Sequence, residues 1–599
     1  MWSSVAFSRA GIKKVAQRFS AAFAGLKPCA TSGWEPVVAS GFLTAEALAK
    51  AVSRTSGLLL AFVAAAVLAS SAQPRFFPDD PIWIDDDKAL DASKAGAIED
   101  SNGFDFVVNT FVQPGEKRNV HALDVNTVDD VPDSSWFTNR IGRRTMSIEE
   151  IVRGPDSLPS ISLDGWVVAA GKSTGVQPGF RVKDPKDPIG RLYQIEFDPP
   201  SNPEMASGAE IIGTAFYHAF GYHTVDVYLA ELDPAKITIA PGAKVFDPLI
   251  GEKRALTTLD LDKVYRRGAR QANGKYRVLA SRFATGTFLG NFRYYSTRPD
   301  DPNDIVAHEH RRVLRAARVF GAWLNHDDSR GVNSLDFLTT EGNRKYVKHY
   351  MFDFGSIMGS GTVFAQRHRA GNEYIFEWAP GWKTLASLGL YTRPWLHYSY
   401  PDVPPSVGRF EGDFFDAAQW KPEYPNPAFE NMRADDAFWA ARIVSRFSDD
   451  AIRAIVGKAQ YTDRQATDYI AATLIKRRDK VLRTWLVGVN PLVDFELSER
   501  GELSFANAAV EAGVATPPRS YRATWSTFDN VTRESTRVGD TSGATARLAA
   551  PAGLPSAAGT YLHVEIAAVD ESHPAWMVPV HAYFWRTGST WKLVGLERL

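Results

Sequence analysis

The sequence predicts an α+β protein on three observations. Short strand-like runs at 165–170, 181–184 and 192–197 surround a glycine-bearing turn and lead into a helix. Runs at 435–447, 449–459 and 462–487 carry apolar and charged faces at helical spacing, which makes a compact helical region. From Asn490 onward the chain changes to short alternating runs such as TYLHVEIAAV and VPVHAYFWRT, separated by Gly, Pro, Ser and Asp turns. That is the pattern of an antiparallel, β-sandwich-like domain over 489–599.

Length and charge narrow the function classes. A chain of 599 residues is too long for one hydrophobic core and divides into two or three domains. The net charge is -1 and there is no long basic run, so nucleic acid is not expected as a partner. Cys29 is the one cysteine, which excludes structural disulfides and thiolate metal sites after it and is compatible with an oxidising compartment. Residues 1–72 read as a targeting region. Arg54 precedes the apolar run GLLLAFVAAAVLA at 57–69, and Ser70, Ser71 and Ala72 offer small residues for cleavage. The run falls short of the ~20 residues of a spanning helix, so a signal peptide is expected, with retention as a membrane anchor as the alternative. The expected location is extracytoplasmic, periplasmic or secreted, with membrane contact only through this segment.

Residues 73–160 are expected as an extension packed on the core. The Pro- and Asp-rich stretch at 76–91 reads as a solvated linker, because it lacks the alternating ligands and central glycine of a calcium loop. Residues 105–111 are strand-like, Trp136 and Phe137 supply apolar area to a wrap at 129–140, and 146–153 forms one short helix. Within 161–300, Lys172 is the basic side chain of the first hairpin turn best placed for a phosphate. Gly171-Lys172-Ser173 is not a Walker A loop, since Trp166 stands where that motif needs its first glycine. After 192–197 a helix carries Ile211, Ile212, Phe216 and Phe220 inward. Glu210 near its start is either a partner for a phosphate-gripping lysine or an ordinary first-turn glutamate favoured by the helix dipole.

Residues 301–488 open with a helix whose apolar stripe is Val313, Leu314, Ala317, Phe320 and Leu324, with Arg311, Arg312, Arg315 and Arg318 around the rest. His308 and His310 lack the spacing of a zinc-protease motif and are expected as exposed or capping residues. The stretch AWLNHDDSRGVNSLDFLTTEGNRKYVKHYMFDFG at 322–355 follows. Two strand-like runs, 334–338 and 345–352, separate Asp327, Asp328 and Asn333 from Asp353, which stands before Phe354 and Gly355. Carboxylates and an amide at the ends of short strands suit a divalent metal carrying a polyphosphate, because hard cations take oxygen ligands on rigid supports. The Trp-, Tyr- and Pro-rich residues 371–427 either face carbohydrate or pack as irregular loops. Arg477, Arg478 and Lys480 read as the solvated face of the last helix.

HDDSRGVN at 326–333 resembles the catalytic loop of protein kinases, and Asp353-Phe354-Gly355, 25 residues after Asp328, resembles the kinase metal-binding triplet. A glycine-bearing hairpin, a third strand and a helix with a glutamate precede them in kinase order. The resemblance spans roughly 166–486 and is to the divergent, secreted or atypical protein-kinase-like proteins. It implies a two-lobed core, an N-lobe at 161–300 and a helical C-lobe at 301–488. It further implies Asp328 as hydroxyl-orienting base, Asn333 as second metal ligand and Asp353 as principal metal ligand, with Mg2+ or Mn2+ and ATP as cofactors.

Glu196 stands on the third strand where that family has its nucleotide-gripping lysine, so Lys172, Arg181 or Lys183 is expected in that role, with Glu210 on the helix. The implied function is an extracytoplasmic, metal- and nucleotide-dependent phosphotransferase with an acceptor the sequence does not name. The missing lysine and glycine fingerprint leave open the alternative of an inactive pseudokinase serving as a secreted binding or scaffold protein, with the C-terminal domain attached to a cell-envelope partner. Paired carboxylates also admit a glycan hydrolase.

Overall fold

The computed structural model describes residues 73–98, 101–115, 118–172 and 175–598. The apolar run at 57–69, Cys29 and Ser173 lie outside the described residues. No described helix is long and apolar enough to cross a membrane.

The fold is α+β with several sheets. Strands β1 (Val167–Gly171), β2 (Gly179–Lys183) and β3 (Leu192–Phe197) form an antiparallel meander and are followed by helix α3 (Met205–Phe220). With β4 (Val227–Leu232), β5 (Thr238–Asp247), β6 (Glu252–Ala255) and β7 (Tyr276–Arg282) they make a seven-stranded sheet in the order β4-β7-β3-β2-β1-β5-β6. Alternation sends Phe180, Val182, Tyr193, Ile195 and Phe197 to one face, where they pack with Leu261 of α4 (Thr258–Tyr265). The opposite face carries Lys172 and Glu196. At Gly179 any Cβ would run into the Ile195 carbonyl, so only glycine permits β2 and β3 to approach here.

The extension before this sheet contains α1 (Asn102–Val107) and α2 (Ile148–Arg153). Helix α2 forms as expected, with Ser147 and Glu150 closing a capping box. The strand expected at 105–111 is instead α1 running into a π-turn. Ser101 caps it, and the buried Asp105 carboxylate accepts from Asn109 and from the Tyr424 hydroxyl, interactions a strand would forfeit. The stretch 76–91 is exposed over most of its length, as expected, and it is pinned to its neighbours at Phe76 and Asp87. Phe76 is buried against Phe528 and Tyr583, and buried Asp87 accepts from the Ser135 backbone N–H. Trp136 and Phe137 are buried as the wrap requires.

Strand β8 (Thr287–Gly290) joins the hairpin of β9 (Ser334–Glu341) and β10 (Arg344–Met351) in a second sheet, entered through helix α5 (Arg312–Leu324). The arginines at the start of α5 are not a solvated face. Arg311, Arg312 and Arg315 are buried. Arg312 bonds Asp129 at 2.7 Å, Asp435 at 3.0 Å and Asp436 at 3.0 Å, and Arg311 bonds Asp304 at 3.0 Å. His308 is likewise buried, 2.7 Å from Asp304, rather than exposed. Periodicity placed these side chains off the apolar stripe correctly, but the carboxylates that make their burial tolerable arrive from distant segments.

Helix α6 (Trp378–Ala386) precedes α7 (Ala434–Ser445), α8 (Asp449–Gly457) and α9 (Arg464–Trp485), which pack with α5 around one hydrophobic core. Arg477 on α9 is buried, donating to the Trp323, Ala322 and Glu411 carbonyls. The same core continues into a C-terminal β-rich region through Leu486, Leu492, Trp525 and Trp576. There β11 (Leu492–Leu497), β12 (Glu502–Asn507) and β15 (Arg547–Ala549) form a three-stranded sheet. The strands β13 (Ser520–Phe528), β14 (Ser535–Gly543), β16 (Tyr561–Val569), β17 (Val580–Thr587) and β18 (Thr590–Arg598) form a five-stranded one, ordered β14-β13-β16-β17-β18.

Candidate functional site

Hairpin register assembles the core of the site. Ser334 pairs with Met351, so the residue before β9 and the residues after β10 must lie side by side. The Phe352 backbone N–H donates to the Asn333 carbonyl at 3.3 Å, which brings Asn333 next to Asp353 although twenty positions separate them in sequence. Asp353 itself has φ 63°, a left-handed conformation uncommon for a residue with a Cβ and a form of local strain that clusters at functional positions.

Helix α3 supplies the opposing wall. Glu210 lies in its second turn and is buried, with its carboxylate facing the backbone N–H groups of Phe354 and Gly355. A methyl group placed on Gly355 would lie 3.6 Å from Asp353 Oδ1 and 3.7 Å from Glu210 Oε2, so the two carboxylates flank one small space. Phe354 anchors this geometry by stacking on Tyr217 with centroids 4.4 Å apart. It passes over Gly213, where a Cβ would stand 2.5 Å from Phe354 Cβ.

The loop after α5 completes the floor. Asn325 ends the helix in a left-handed conformation, and the buried His326 ring meets the Tyr217 hydroxyl at 2.9 Å. Burial, with Arg330 adding to it, pushes the imidazole down to about 3, so it is a neutral structural group. Asp327 accepts from Gln366 Nε2 at 2.7 Å. The neighbouring Asp328 forms an ion pair with Arg330, which also holds Glu423 at 2.8 Å. Asn333 Nδ2 donates to the Asp328 carbonyl at 2.9 Å and closes the loop on itself.

Lys172, at the end of β1, bonds the carboxylate of Glu196 on β3 and the Gln177 carbonyl. Glu210 faces Phe354 and Gly355 instead, so the lysine partner expected on α3 stands on β3. Arg181 and Lys183 share the face of Glu196 but pair with Gln194 and Leu192, two and four positions further along β3. At ~3.3 Å per residue Lys183 starts about 13 Å from the Glu196 level. Arg181 lies with its guanidinium 5.3 Å from the Phe283 ring centroid.

The electrostatics tie these residues together. Burial pushes Asp353 up to about 7, the charges of Glu196 and Asp328 add to the effect, and Lys172 and Arg330 oppose it. Glu210 is raised well above the usual carboxylate range by burial, then by Asp353 and Glu196. Asp328 is raised by burial against the pull of Arg330. Four carboxylates thus share a buried space with two cations. Such a site gains by accepting further positive charge, and its oxygen donors fit a hard divalent cation.

Arg330 and Glu423 were not among the sequence candidates. Arg330 stands two residues beyond Asp328 across a turn, so no strand alternation announced it. Glu423 carries no signal either, because it comes from the irregular 371–427 region. Part of that region lines a cleft of about 560 Å³ with Tyr391, Trp395, Tyr400 and Trp420 among its walls.

Among the described residues, two groups of His, Asp and Glu side chains converge closely enough to hold a metal ion as they stand, and neither includes Asp328, Asp353 or Glu210. One is His563, Glu565 and His581; the other is His121, Asp129 and Asp435.

No protein-family model matches the chain. No curated protein matches it by sequence. Among solved structures it is similar to the crystal structure of a Helicobacter pylori proinflammatory kinase, CtkA, at 13% identity and a TM-score of 0.28, covering 54% of this chain and 95% of that one. This is a weak and partial match to a bacterial kinase-like fold.

Proposed function

We propose that this chain is a metal- and nucleotide-dependent phosphotransferase, with a two-lobed kinase-like core and a C-terminal β-sandwich that attaches it to a cell-envelope partner. The observation that carries the reading is the meeting of Asp353 and Glu210 at Gly355, beside the Asp328–Asn333 loop and opposite the Lys172–Glu196 pair. In this reading Asp353 and Asn333 hold Mg2+ or Mn2+, which would neutralise the phosphates of ATP. Lys172 leaves Glu196 to meet a phosphate oxygen. Asp328 orients an acceptor hydroxyl and takes its proton, while Arg330 is placed to meet negative charge on the transferred group. The apolar run at 57–69, with Arg54 before it and small residues after it, supports an extracytoplasmic location.

Incubation with ATP labelled on the γ-phosphate and Mn2+ tests the activity. Label moving to protein or to phosphate in wild type, and lost in D328N and D353N, is the expected result; no nucleotide binding with either metal overturns the proposal. A second reading, a pseudokinase that binds without transferring, is favoured by one feature. Both basic groups of the site, Lys172 and Arg330, are already held by carboxylates. Nucleotide binding without transfer or hydrolysis decides for it.

A further inference from the structure

The five-stranded C-terminal sheet carries a cluster that the phosphotransferase reading leaves unused. His563 and Glu565 on β16 and His581 on β17 project from one face, because Glu565 pairs directly with His581 and His563 stands two residues away on the same strand. His563 Nε2 lies 2.9 Å from His581 Nδ1 and 4.0 Å from Glu565 Oε1, and His581 Nδ1 lies 3.8 Å from the same oxygen. The point equidistant from the corners of a triangle with these sides is about 2.1 Å from each, the length of zinc–imidazole and zinc–carboxylate bonds.

The two imidazoles face each other in an N–H···N hydrogen bond with ring centroids 5.1 Å apart, so an ion enters by displacing that proton as the rings turn toward Glu565. His563 stacks on Tyr583 with centroids 4.6 Å apart and nearly parallel planes, and its far nitrogen, Nδ1, lies 3.0 Å from Ser535 Oγ. A ring with a partner on its other nitrogen is the usual support of a metal-bound histidine. The competing group at His121 lacks this freedom, since Asp129 and Asp435 are both taken by Arg312 at 2.7 and 3.0 Å.

We propose that His563, His581 and Glu565 form a binding site for a zinc-class divalent ion, clamping β16 to β17 and leaving a fourth position open to water. Two imidazoles select such an ion over the Mg2+ expected at Asp353, because nitrogen donors suit borderline-soft metals and carboxylate-rich sites suit hard ones.

The test uses the full chain, stripped with chelator and titrated with Zn2+ by calorimetry and with Co2+ by visible absorption. The expected result is one equivalent of Zn2+ taken up, displaceable Co2+ bands, retention of both in D353N, and loss in H563A and H581A. E565Q, a change at a partly exposed position of the sheet face, should weaken Zn2+ at least tenfold with an unaltered circular dichroism spectrum. Failure of wild type to take up a stoichiometric ion, or uptake unchanged in E565Q and in both histidine variants, overturns the proposal.

Discussion

Lys172 and Glu196 form an ion pair between the ends of β1 and β3, on the sheet face that looks onto Glu210 and Asp353. The basic group of the site therefore comes from the first strand and a carboxylate from the third. Both side chains are largely shielded, so the pair is more than a surface salt bridge. E196Q should release Lys172 and remove one of the charges raising Asp353, increasing affinity for a Mg2+-bound ATP analogue several-fold; K172A should lower it about tenfold, near 1.4 kcal/mol. Calorimetric titration of both variants checks the pair. Weaker binding in E196Q would show that the glutamate serves the ligand directly.

Asp353 sets a pH dependence. Its carboxyl holds a proton up to about 7, which a bound cation must displace, so Mn2+ affinity should rise as pH increases through that value. The same shift acts on stability with the opposite sign. The folded value exceeds the unfolded one, near 3.9, so the stabilisation is present at low pH and is lost as pH rises through about 7. Relative to D353N, metal-free wild type should lose stability between about pH 4 and 7, and Mn2+ should restore it above that range. Binding that is flat across this range would contradict the assignment.

Gly213 should be essential to the site rather than to the fold. A side chain here meets Phe354 and Ile357, at 2.5 and 2.7 Å from the added Cβ. G213A is expected to displace Phe354 and with it Asp353, reducing metal affinity at least tenfold while costing about 1–3 kcal/mol in denaturant unfolding.

Arg312 should be indispensable to stability. It is fully buried among Asp129, Asp435 and Asp436, and removing it leaves those carboxylates without their cation. R312A is expected to destabilise the protein by about 3–5 kcal/mol in urea unfolding, with R312K in between because an ammonium cannot satisfy three carboxylates in the geometry of a guanidinium.

The legible parts of this molecule are those set by local pattern. The β1–β3 meander, α3, the β9–β10 hairpin and α7 to α9 follow from alternation, helical spacing and turn residues. The hairpin alone forces Asn333 to Asp353, since closing it leaves no other arrangement. What the sequence did not yield depends on partners far away along the chain. Whether Arg312 is solvated or buried is decided by Asp129 and Asp435, and whether 105–111 is strand or helix by Tyr424. The partner of Lys172 was missed for a related reason. The family pattern pointed to Glu210, whereas the β2–β3 register brings Glu196 level with Gly179, at the end of the sheet where Lys172 emerges.

Asp353, with Asn333 and Glu210 beside it, is proposed to hold a metal–nucleotide complex. Calorimetric titration of wild type and D353N with a non-hydrolysable ATP analogue, in the presence and absence of Mn2+, tests this most directly. Saturable, Mn2+-dependent binding is expected for wild type, abolished or weakened at least a hundredfold in D353N, whose circular dichroism spectrum stays that of the folded protein. Binding by D353N equal to wild type, or no binding by either protein, would contradict the proposal.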